Sequence, residues 1–248
     1  MDLDKILDNI NKNLEILKNS RPLSKWELNE LRKSLWVMFV CESNAIEWNS
    51  FTIWETKLLL EDGITVWWKT IREQNEVLNH KELLNILYNF LETDDDLTED
   101  LILKIHREVL KNIDDENAWI YRRIQNYISW DTKIPPRYEK VPILMTELID
   151  NYNNDKDKID PVILVSNFHY DFAKIHPFVD WNGRTIRLVL NMILMKKWFP
   201  MIIIPNIRRG DYISSLSSYK TKDDFIIFMS DTINQNLEDY LRMINPNI

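Results

Sequence analysis

Residues 160–197 read DPVILVSNFHYDFAKIHPFVDWNGRTIRLVLNMILMKK. Asp160-Pro161 is a helix cap followed by proline at the first helical position. The apolar residues after it predict a helix ending near Ile175. Pro177 disfavours helical conformation in His176, so the chain must turn there. A short loop follows, and a second helix starts around Asn182 and runs to Lys197.

Helical periodicity also dominates outward from this pair. Leu3, Ile6, Leu7, Ile10, Leu14 and Leu17 recur at three- and four-residue steps, as in one amphipathic helix. Ser24 with Glu27 forms a capping-box pattern opening a helix toward Glu47. Thr52 with Glu55 and Thr70 with Glu73 repeat that signal for helices near 53–62 and 71–91. Thr98 caps a helix to about Lys111, and two more, roughly 211–220 and 223–244, finish the chain. The exception is 120–136. Ile124, Gln125, Asn126, Tyr127 and Ile128 mix β-formers with polar residues, 129–133 reads as a turn, and Pro135-Pro136 cannot continue a helix. A short β-hairpin with an exposed edge is expected. The fold class is all-α with one hairpin, in a single domain over 1–248.

Hydrophobic residues at 45% and charged residues at 28% are ordinary for a globular protein. The net charge of −8 argues against nonspecific nucleic-acid binding. One cysteine, Cys41, excludes an internal disulfide and fits a reducing cytosol. Met1-Asp2-Leu3-Asp4-Lys5 lacks the pattern of a secretory signal, and the longest apolar runs are too short to span a bilayer. A cytoplasmic protein with no membrane partner is expected.

Residues 176–187 concentrate the chemistry. Backbone N–H groups at a helix start form an anion site, and Gly183 lets a phosphate approach closely. Arg184 and Arg187, one turn apart, add fork-shaped contacts to phosphate oxygens. The Asp180 carboxylate beside phosphates is what Mg²⁺ requires, and His176 facing them is a candidate general base. Each feature alone has a bland reading as a structural histidine, a solvated face or a common turn. All of them within twelve residues describe a nucleotide–Mg²⁺ transferase site. His169, His106 and His80 read as structural, and no His/Cys spacing suggests zinc.

His176-Pro177-Phe178-Val179-Asp180-Trp181-Asn182-Gly183-Arg184-Thr185-Ile186-Arg187 resembles the signature of Fic proteins, with Trp181 standing where that family has glycine. Ala118-Trp119-Ile120-Tyr121-Arg122 resembles the segment before the family's flap, and Pro135-Pro136 with Val141–Met145 its end and the next helix. The resemblance implies a Fic core over 98–205, with N-terminal helices at 1–50, C-terminal helices at 206–248 and the hairpin as a flap that positions a target segment through 124–128. It implies that His176 deprotonates a target hydroxyl and that Asp180 binds Mg²⁺. Asn182 and the Gly183 backbone would hold the α-phosphate region, Arg184 the β- and γ-phosphates, and Arg187 the γ-phosphate. Phe178 would anchor the loop by packing. Glycine rather than lysine at 183 favours AMP transfer over phosphate transfer.

Ser43-Asn44-Ala45-Ile46-Glu47-Trp48-Asn49 resembles the Fic inhibitory motif. A glutamate paired with Arg187 would remove the cation the γ-phosphate needs. The expected function is a protein adenylyltransferase using Mg·ATP, acting on a hydroxyl-bearing protein or on itself and restrained by Glu47. The alternatives are AMP removal, transfer of another nucleotide, or a non-catalytic nucleotide-binding module. A homodimer is expected by resemblance alone.

Glycine should number about 17 in a chain of this size. There are 3, beside 10 tryptophans. Trp48, Trp119, Trp130 and Trp181 fall where the family pattern or turn chemistry wants glycine, and Trp54, Trp67-Trp68 and Trp198 occupy slots that read as turn or cap glycines. The inference is that a codon meaning glycine in the source, UGA, is written as tryptophan. The opposing reading is a diverged and inactive relative.

Overall fold

The computed structural model describes residues 2–20, 22–129 and 131–244. Trp130, expected in the turn of the hairpin, lies outside them. The helices are α1 Leu3–Asn19, α2 Lys25–Ile46, α3 Ile53–Glu61, α4 Ile71–Leu78, α5 His80–Glu92, α6 Glu99–Leu110, α7 Val141–Asp155, α8 Pro161–Ile175, α9 Asn182–Lys196, α10 Arg209–Leu216 and α11 Lys222–Ile244. Among the described residues there is no strand, and no helix is long and apolar enough to cross a membrane.

The starts follow from local chemistry. Ser24/Glu27, Thr52/Glu55 and Thr70/Glu73 each form the full reciprocal capping box, which satisfies two orphan N–H donors per helix. The Asp160 carboxylate accepts from Val162 and Ile163 at the head of α8.

Helix α9 is the centre. From Arg184 to Leu194 every residue is buried, so its amphipathicity is weak and its neighbours surround it: α8, α6, α5 and α2 all pack on it. Helices α11 and α7 brace α8 from behind, and α1 closes over α11, where Asn13 donates to Asn234 at 3.1 Å. This packing fixes both ends of the loop between α8 and α9.

Two expectations are corrected. The helix expected over 71–91 is broken at Asn79, whose side-chain amide donates to the Val109 and Lys111 carbonyls of the α6 end. That tertiary anchor separates α4 from α5. The hairpin expected over 120–136 is not formed among the described residues. Its two arms run side by side, but side chains clip them where a backbone ladder would. Arg122 donates to the Ile124 and Pro136 carbonyls, and Gln125 donates to the Pro135 carbonyl at 3.1 Å. Pro135 and Pro136 also lack the N–H groups a ladder would need.

Candidate functional site

His176 caps the end of α8 in left-handed conformation, with φ 51° and ψ 61°. Its N–H donates to the Phe172 carbonyl at 2.9 Å. Burial, with a smaller push from the Arg122 charge, holds its pKa down at about 4, against a pull upward from Glu47. The ring is therefore neutral at physiological pH, the form a general base requires.

The loop after it is tied from three sides. Phe178 is fully buried and stacks on His106, with ring centroids 3.6 Å apart. The His106 ring also reaches the Asp180 carbonyl at 3.2 Å. Arg122 donates from its backbone to Pro177 and from its side chain to His176, each at 2.9 Å, and Asn126 donates to the Phe178 and Val179 carbonyls. Asn182 turns its amide back onto Phe178, accepting at 2.9 Å and donating at 3.0 Å. Its side chain thus shapes the loop from within.

The two arginines point the same way from the first turns of α9, toward α2 and α4. Arg187 donates to the Ser43 hydroxyl at 2.9 Å, to the Ser43 carbonyl at 2.8 Å and to the Glu47 carboxylate at 2.9 Å. Arg184 donates to Asn44 at 2.9 Å and pairs with Glu76 at 3.0 Å. Both guanidinium groups are buried, yet Arg184 Nε and one terminal nitrogen of Arg187 have no partner. Orphaned cationic donors beside a helix N-terminus are a built anion receptor.

Glu47 stands in that receptor. A Cβ added at Gly183 would collide with its carboxylate and with Arg187, so no larger residue fits at 183 without movement. Burial pushes the Glu47 carboxyl up, but Arg187, Arg184 and Arg209 reverse this and hold it below the usual range. Asp180 is exposed; its carboxylate accepts from the Trp181 N–H at 2.7 Å and lies 3.8 Å from Arg72. The Trp181 indole is buried with its face 3.6 Å from the Arg184 guanidinium carbon.

Of the residues singled out in the sequence, His176, Asp180, Gly183, Arg184, Arg187, Ser43 and Glu47 converge here. Asn126 reaches the loop, whereas Ile124 and Tyr127 are exposed and Gln125 serves the clip. Sequence reasoning missed Glu76 and Arg72 and gave Arg122 no role beyond the segment before the flap; His106, read as structural, buttresses the loop. Glu76 is buried in α4 and also accepts from Asn49 at 2.8 Å and Arg72 at 3.2 Å. A glutamate on the apolar face beside Val77 was the one signal that could have found it. His169 is structural, bonded to Tyr212 at 2.8 Å.

A neutral imidazole, a helix N-terminus with glycine as its second residue and two incompletely paired buried arginines form an arrangement chemically able to take a polyphosphate and a proton. Residues 96–194 match the family model described as Fic/DOC family, and the chain belongs to that family through this domain. It is 35% identical over 192 residues to the protein adenylyltransferase fic-1 of Caenorhabditis elegans, covering 76% of this chain and 37% of that protein. It is 33% identical over 243 residues to the protein adenylyltransferase Fic of Nematostella vectensis, covering 96% and 55%. The chain thus spans between a third and about half of these relatives. A Fic-domain signalling protein from Bacteroides thetaiotaomicron superposes with a TM-score of 0.86 at 26% identity, over 97% of this chain and 99% of that one.

Proposed function

We propose that this chain is a protein adenylyltransferase, moving AMP from ATP to a hydroxyl of a target protein or of itself. The observation that carries the reading is the pair of orphaned guanidinium donors, on Arg184 and Arg187, beside the α9 N-terminus and the neutral His176 ring. The names of the relatives agree with it.

In this reading the phosphates lie along the start of α9. Gly183 permits the close approach, Arg184 takes the β- and γ-phosphates, and Arg187 takes the γ-phosphate. The target hydroxyl attacks the α-phosphorus while His176 accepts its proton. A new ester bond forms, the bond from the α-phosphorus to its bridging oxygen breaks, and pyrophosphate leaves. Positioning and charge neutralisation supply most of such catalysis. The donor chemistry fits Mg²⁺: Asp180 presents an exposed carboxylate in the loop just before the α9 N-terminus. A magnesium ion shared between Asp180 and phosphates would neutralise charge on the leaving group.

The clipped segment 120–136 serves as the flap. Ile124 and Tyr127, both exposed, offer it apolar contacts for a target strand. Glu47 restrains transfer by occupying Arg187 and the α9 N-terminus, with Ser43 holding Arg187 in that pose. In this reading the core spans 98–205, restrained by 1–50 and flanked by 206–248, and the protein works in the cytoplasm.

The reading is tested by incubating the chain, carrying Trp181→Gly, with Mg²⁺ and either α- or γ-labelled ATP. Protein-bound label from the α position alone is expected. Label from the γ position would replace AMP transfer with phosphate transfer.

A further inference from the structure

Seven described residues with φ between +20° and +160° stand out on the backbone: Gly63, Asn112, His176, and four tryptophans, Trp48, Trp119, Trp181 and Trp198. Left-handed conformation costs an L-residue steric strain at Cβ, and only a few per cent of non-glycine residues adopt it, with Asn, Asp and His enriched. Asn112 and His176 follow that rule, and the tryptophans do not. With 10 in the chain and Trp130 outside the described residues, a few per cent predicts fewer than one tryptophan there.

The local motifs sharpen this. After α2, the Trp48 N–H donates to Ala45 at 3.0 Å and the Asn49 N–H to Asn44 at 3.1 Å. After α9, the Trp198 N–H donates to Met195 and the Phe199 N–H to Leu194, both at 3.1 Å. Each pair of bonds is a Schellman helix terminus, and each tryptophan sits at the residue where that motif takes glycine. Their φ values are 70° and 69°, and their indoles are 78% and 81% exposed, so neither is a core side chain, although the Arg209 guanidinium lies 4.2 Å over the Trp48 ring. Trp119, at φ 68°, ends the turn over 115–119, and Trp181, at φ 67°, is the N-cap of α9 with no side-chain cap bond. Trp54 and Trp67-Trp68, expected in glycine slots, do not have positive φ, and Trp54 is helical in α3; Trp36 contrasts fully, being helical and buried, with its ring stacked on Phe39 at a centroid distance of 5.4 Å.

We infer that residues 48, 119, 181 and 198 are glycine in the native protein, encoded by UGA in a source that reads this codon as glycine. The consequence is chemical at 181. The indole lies over Arg184 and within 5.7 Å of Arg72, closing the flank of the anion receptor between the two guanidinium groups. Glycine there removes the ring, leaves the φ of 67° unstrained and opens Arg184 toward Asp180. The inference does not depend on the proposed reaction, because its first readout is the identity of the residue.

The test begins with the gene and with tryptic peptides of the protein isolated from its source. UGA codons with glycine in the peptides are expected at all four positions. UGG, or tryptophan in a peptide, overturns the assignment at that position. Thermal unfolding supplies an independent reading on recombinant chain. Trp48→Gly and Trp198→Gly should each melt above the matching alanine variant by about 2–4 °C, whereas Trp36→Gly should melt well below the parent. Alanine matching or exceeding glycine at 48 and 198 contradicts the inference. Nucleotide binding is then compared between the parent and Trp181→Gly. Tighter ATP binding by at least tenfold is expected, and equal binding would remove the role assigned to the indole.

Discussion

Arg187 donates a 2.9 Å hydrogen bond to Glu47, and the same carboxylate stands so close to Gly183 that a single added Cβ would strike it. One acidic side chain thereby occupies both halves of an anion site, the cation and the helix N-terminus. Glu47→Gly should raise AMP incorporation at least tenfold in the Trp181→Gly background, read as protein-bound label from α-labelled ATP. Unchanged incorporation would leave Glu47 as a structural cap of α2.

The same contact predicts coupling. Gly183→Ala should cost about 1–3 kcal/mol of stability, because the methyl group forces Glu47 or Arg187 to move. In Glu47→Gly protein the cost should shrink, since one of the two colliding groups is gone. Urea unfolding of the two single variants and the double variant measures this. Strict additivity would mean that Glu47 does not occupy this position in solution.

Glu76 holds Arg184 from α4, and both partners are buried. Glu76→Gln keeps the shape but leaves the guanidinium charge uncompensated, and such a change costs about 3 kcal/mol. Reduced stability with ATP restoring part of it would fit a cation that phosphates can satisfy. A neutral substitution would show that Asn44 suffices.

Much of this arrangement is legible in the sequence, and what is not has a physical reason. Capping boxes at Ser24, Thr52 and Thr70 are local, so reading three residues finds a helix start. The loop from His176 to Arg187 is equally legible, because its functional groups lie within twelve residues. The break at Asn79 is invisible locally, since Asn79 keeps helical dihedrals and its reason for breaking lies across the fold at Val109 and Lys111. The hairpin fails on the same ground: Arg122 supplies from its side chain the bonds a strand partner would supply. Glu76 and Arg72 enter the site only because α4 packs beside the end of α2.

Acid should unfold the chain early. Burial holds His80 and His169 down at about 3 and His106 and His176 at about 4, against an ordinary value near 6.5. The unfolded chain therefore binds protons below pH 6.5 that the folded chain refuses. Stability contributed by these groups is full above pH 6.5 and declines as the pH falls toward 4. Urea midpoints at pH 7.5, 6.5, 5.5 and 4.5 should fall at each step below 6.5. A flat profile would place these histidines in solvent.

The most direct measurement of the central claim is the intact mass and label content of Trp181→Gly/Glu47→Gly protein incubated with Mg²⁺ and α-labelled ATP, beside the same protein carrying His176→Ala. The account predicts covalent AMP on the chain or on an added protein target, lost by at least a hundredfold with His176→Ala while ATP binding persists. Equal AMP incorporation with and without the imidazole, or ATP binding with no transfer at all, would contradict it.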